Sequence, residues 1–94
     1  MTQPLDDLPG IGPVTRSWLE DAGIATAEEL RALGAVEAWR RLKFMMPNRV
    51  NLNALYALEA ALRGSHWLDL PAEVKQSLQQ EAKQFALSLA KPKR

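Results

Sequence analysis

The residues best placed for chemistry are Leu8-Pro9-Gly10-Ile11-Gly12, followed by Pro13. Glycine-rich backbone at the start of a helix presents N–H groups that can donate to an anionic oxygen. Gly10 and Gly12 tolerate positive φ, and the missing Cβ lets another surface come close. Pro9 biases Leu8 toward extended chain. Ile11 is expected to point inward as an anchor. Pro13 suits the first helical position, where its missing N–H costs nothing. The local charge opposes a phosphate: from Met1 to Ile24 the one basic side chain is Arg16, against Asp6, Asp7, Glu20 and Asp21. The competing reading is a tight corner that only packs two helices.

Continued through Val14, Trp18, Leu19 and Ala22 to Gly23 and Ile24, the stretch has the form of a helix-hairpin-helix, a turn that in many proteins holds a DNA phosphate. A second candidate is cationic. Arg40, Arg41, Lys43 and Arg49 gather around the end of one predicted helix, and Lys91, Lys93 and Arg94 end the chain. Together with Gly10, Gly12 and Arg16 they are the candidate contacts to phosphate, DNA or a partner. Cations near a helix C-terminus also complement the macrodipole, so part of the cluster has a purely structural explanation. Exposed aromatics do not interleave with it, so stacking of single-stranded bases is not suggested. Trp18, Trp39 and Trp67 read as core.

Catalysis finds little support. His66 is the sole histidine and there is no cysteine, so a conventional zinc site would need several carboxylates. A structural role in the connector that holds Trp67 suits His66 better. The pairs Asp6/Asp7 and Glu28/Glu29 are adjacent and point apart, and Glu28 and Glu29 suit a helix N-terminus. No nucleophile motif or Walker loop is present. Neither catalytic residue, metal nor cofactor is expected.

The elements that position these residues follow from periodicity. Ninety-four residues with net charge +1 describe one domain with no global electrostatic pull toward nucleic acid. Absence of cysteine fits a cytoplasmic location, and no apolar run reaches membrane-spanning length. Leu5 and Leu8 allow one helical turn. A helix follows over 13–22, with Val14, Trp18, Leu19 and Ala22 as its stripe. Thr26-Ala27-Glu28-Glu29 is a capping box, with Glu29 reaching back, and opens a short helix that stops at Gly34. The next runs over 35–46 on Val36, Trp39, Leu42 and Met46 and ends at Pro47. Asn51 caps a helix over 52–63 whose leucines and alanines make it the central one. Gly64 closes it. The connector 65–71 carries Trp67 and Leu70 toward the core, and a last helix spans 72–89 on Val74, Leu78, Ala82, Phe85 and Leu89. Five helices and no sheet result, an all-α domain of helix-hairpin-helix or SAM-like type, with residues 1–3 and 90–94 as flexible ends.

In several separated blocks this order resembles the C-terminal domain of TfoX/Sxy proteins. The blocks are Leu8 to Pro13 with Trp18-Leu19 and Ala22-Gly23-Ile24, then Leu30 to Trp39, Asn51 to Glu59, Gly64 to Trp67, and Leu70-Pro71. The likeness covers Pro4 to Leu89, so the chain reads as that domain standing alone, without the N-terminal α/β domain of full-length members. It implies a regulator of natural DNA transformation in bacteria that acts with the cyclic-AMP receptor protein. Its expected partner is a protein of transcription control, a regulator or RNA polymerase. The second reading is a weak DNA-binding module without sequence preference. Oligomeric state stays open. Arg16 stands where DNA-binding hairpins carry a small residue, which favours an exposed or partner-facing helix.

Overall fold

A computed structural model describes residues 3–65 and 69–90, with side chains through 88. Among the described residues a 3-10 turn, Leu5–Asp7, precedes five α-helices: α1 Pro13–Asp21, α2 Ala27–Leu33, α3 Ala35–Met45, α4 Leu52–Arg63 and α5 Ala72–Ala90. Among the described residues there is no strand, only an isolated antiparallel bridge between Pro4 and Thr26. The fold is therefore all-α, as the periodicities predict.

α3 and α4 form the central pair, and α3 also packs against α1, α2 and α5. α4 buries Leu55, Tyr56, Leu58, Ala60 and Ala61. Its alanines let α3 and α5 approach closely, but the hub is α3, which packs against all four other helices, and not α4 as its composition predicts. α3 contributes Ala35, Ala38, Trp39 and Leu42. Trp39 joins three elements: its indole N–H donates to the Asn51 carbonyl at 2.9 Å, and its ring meets Phe85 edge-on at 5.8 Å. Leu19, Ile24 and Leu30 complete the core from the first half of the chain. Trp18 is half-buried. His66, Trp67 and the Leu89 side chain lie outside the described residues, whereas Leu70 is buried as expected.

The helix ends obey local chemistry. Pro13 opens α1 behind Gly12. Asn51 caps α4 by accepting from the Ala54 N–H at 3.1 Å. Gly64 ends α4 in the left-handed region at φ 73°, ψ 26°, and the Ser65 N–H donates to the Ala60 carbonyl. Thr26 accepts from Glu29 N–H at 3.1 Å, as a capping box requires. Glu29 itself reaches one residue further back than the expected Thr26 N–H and accepts from Ala25 N–H at 2.7 Å. The expected inward stripe of α1 also needs correction, because Val14 is 62 % exposed. At about 100° per residue, Val14 lies roughly 140° from the fully buried Leu19, while Thr15 lies within about 40° and takes the inward position.

Candidate functional site

Gly10 has a positive φ, +83°, in the turn before α1. Gly12 is extended, at φ −94° and ψ −175°, and as the N-cap of α1 it brings no side-chain cap. Ile11 is buried beneath the turn as an anchor. Arg16 reaches back to the 3-10 turn, with Nη1 3.2 Å from Asp6, and its Nε lies 4.0 Å from Glu20. The one cation of this region is thereby engaged, and Asp7 and Asp21 remain exposed beside it. An incoming phosphate meets a surface of net negative charge.

The second cluster comes together at α3 but is largely occupied. Arg40 lies between helices, with Nη2 donating to Glu81 of α5 at 3.2 Å and Nη1 3.7 Å from Glu37. Its guanidinium carbon stands 6.0 Å from the Phe85 ring centroid. Its Nε is buried without a hydrogen-bond partner among the described residues. Arg41 Nε lies 3.8 Å from Glu37. Lys43 donates to the carbonyls of Pro47 at 2.9 Å and Val50 at 2.7 Å, which closes the turn after α3. Arg49 is exposed in that turn. Lys91, Lys93 and Arg94 fall outside the described residues.

One carboxylate is clearly perturbed. Glu28 accepts from the Gln3 N–H through both oxygens, at 2.9 and 3.0 Å. That hydrogen bond, followed by one from its own backbone N–H, holds its pKa below the usual 4.5. The Gln3 carbonyl in turn accepts from Ala27 N–H at 2.9 Å. Glu28 thus belongs to a clasp that binds the N-terminal arm to α2, away from any cleft. Among the described residues no group of His, Asp or Glu could hold a metal ion, and no helix is long and apolar enough to cross a membrane.

Sequence reasoning overlooked Phe44 and Met45, which are 72 % and 43 % exposed at the end of α3. The signal was available: Phe44 lies about 200° around the helix from Leu42, opposite the buried stripe. Arg41, on the same helix, borders a shallow depression of about 310 Å³ lined also by Gly23, Ile24, Glu29, Ala32 and Leu33.

These features define a small five-helix domain whose surface cations are mostly held in internal pairs and whose exposed aromatic stands at a helix end. The model of the TfoX C-terminal domain matches residues 1–82, and the chain belongs to that family. Two crystal structures from Listeria monocytogenes share the fold. An uncharacterized protein in a triclinic form is 37 % identical at a TM-score of 0.78, covering 96 % of this chain and 97 % of that one. A protein of unknown function in a tetragonal form is 36 % identical at 0.80, covering 85 % and 96 %. Nothing among curated proteins matches the chain.

Proposed function

We propose that this domain is a non-enzymatic regulatory module that acts through protein-protein contacts. Its setting is the transcriptional control of competence that the TfoX/Sxy resemblance implies, within the cytoplasm, with a regulator or RNA polymerase as partner. One observation carries this reading. Of the four cations gathered at the end of α3, Arg40, Arg41 and Lys43 already have acceptors within the domain. Non-specific affinity for a duplex comes mainly from cations that neutralise phosphates, and each phosphate neutralised steepens the log–log salt dependence by about 0.9.

The test is a fluorescence-anisotropy titration against a random duplex at several salt concentrations, beside direct binding to purified RNA polymerase and cyclic-AMP receptor protein. The expected result is binding to one of these proteins that excess duplex does not compete away, with duplex affinity weak and shallow in salt. Duplex binding with a slope steeper than about −3, lost in Arg40→Glu with Arg41→Glu, would replace this reading with that of a DNA-binding module.

A further inference from the structure

The last helix, α5, is held unevenly along its length. Its first half is anchored. Leu78 is buried, Val74 packs against the core, and Gln79 Nε2 donates to the Tyr56 hydroxyl of α4 at 2.7 Å. From Gln80 through Ser88 no side chain is fully buried. Ala82 and Phe85 only lean on the core, and Leu87 is 60 % exposed. The ties of this half to α3 converge on two residues. Phe85 meets Trp39 edge-on, and Arg40 pairs with Glu81 while its guanidinium faces the Phe85 ring.

Arg40 holds this half of α5 at a cost. The Arg40 and Glu81 side chains are 38 % and 43 % exposed, the range in which solvent leaves an ion pair little net value. Nε of the same guanidinium is buried and lacks an acceptor among the described residues. A buried donor without an acceptor loses its hydration and gains nothing in return, a larger penalty than an exposed pair gives back. Glu81 and Phe85 lie against this guanidinium, so lifting them away readmits water to Nε. Glu81 is then hydrated, and Glu37 still has Arg41. The penalty therefore belongs to the closed arrangement alone.

We infer that the part of α5 after Gln79 is a lid that opens from α3 while the rest of the domain stays folded, and that Arg40 holds its closed state close to balance. The Gln79–Tyr56 bond marks the hinge. Opening frees the Arg40 guanidinium and uncovers the edge of Trp39. Helical segments with few buried side chains open locally at a fraction of the free energy of global unfolding, and the stranded Nε lowers that fraction further.

Native-state hydrogen exchange on the intact domain, read amide by amide across a urea series, tests the lid. Amides over 84–90 are expected to exchange with little dependence on urea, while those of Leu55 to Ala61 in α4 exchange through global unfolding. Arg40→Lys keeps a cation for Glu81 and has no Nε. Arg40→Met removes both and keeps an unbranched body against Phe85. Each should slow exchange over 84–90, Arg40→Met by about tenfold. Glu81→Gln weakens the pair and leaves Nε buried, so it should quicken exchange by less than about threefold. An arginine that merely ties two helices together predicts the opposite sign, and quickened exchange in both Arg40 variants overturns the inference. If Arg40→Met does not fold, the sign of Arg40→Lys decides alone. Amides over 84–90 that exchange only with global unfolding also overturn it. So does local exchange indifferent to all three variants, which is simple fraying of a helix end.

Discussion

Replacing Trp39 with Phe separates the two things this residue does. Trp39 is 3 % exposed, donates one hydrogen bond to Asn51 and lies edge-on to Phe85. Phe keeps an aromatic body for the Phe85 contact and loses the donor. The lost hydrogen bond is worth about 1 kcal/mol. Asn51 is exposed, so water can satisfy its carbonyl and the loss stays near that value. The smaller ring leaves roughly 40 Å³ unfilled, which at about 24 cal/mol per Å³ adds another ~1 kcal/mol. The sum, about 2 kcal/mol, corresponds to a fall in melting temperature of roughly 8–16 °C for a domain of this size. Urea and thermal unfolding followed by circular dichroism measure it. Trp18→Phe is the control: Trp18 is half-buried and its indole has no such acceptor among the described residues, so its loss should be clearly smaller. A cost for Trp39→Phe below about 0.5 kcal/mol, within the range of ordinary surface substitutions, would show that the bond between α3 and the start of α4 does not hold them together.

Leu58→Ala, at a 1 % exposed position of α4, should cost about 2–5 kcal/mol in urea unfolding. Gly64→Ala forces a side chain into the left-handed region and should cost roughly 1–2 kcal/mol by the same assay. The Glu28 clasp should depend on pH. Its carboxyl is depressed in the folded state, so its contribution is present above the usual glutamate value of 4.5 and is lost as pH falls through the lower folded value. The Gln3 amide resonance should follow that loss in an NMR titration, and Glu28→Gln should abolish the transition. A Gln3 transition that persists in Glu28→Gln would assign it to a different group.

Much of the fold was legible because its punctuation is local. Pro13, Thr26, Gly34, Asn51 and Gly64 each act within one turn of their own position, and the helix boundaries follow from them. The stripes of α3 and α4 were readable for the same reason, since two or three well-spaced apolar residues decide which way a long helix faces. α1 resisted because it is short: over nine residues Val14 fits the spacing with Trp18 yet lies about 140° from Leu19, on the exposed side. Long-range pairing was not legible. Nothing near Gln3 announces Glu28, and nothing near Arg40 announces Glu81, which lies 41 residues on. The basic cluster was visible as composition, but its neutralisation depended on those pairings. Phe44 is legible by the same geometry, since it falls opposite the buried stripe of α3.

Gly34 ends α2 and begins α3 at the same residue, with φ 89° and ψ 156°. The joint has no slack. A residue inserted there must be taken up by a helix, turning α3 by about 100° and advancing it by about 1.5 Å, which carries Trp39 and Leu42 out of register with α4. The turn at Pro47–Arg49 is different, because its three residues are exposed and separate two independently capped helices. Length variation between versions of this domain should therefore gather in that turn and never at the α2–α3 elbow, which makes these two helices a single inherited block.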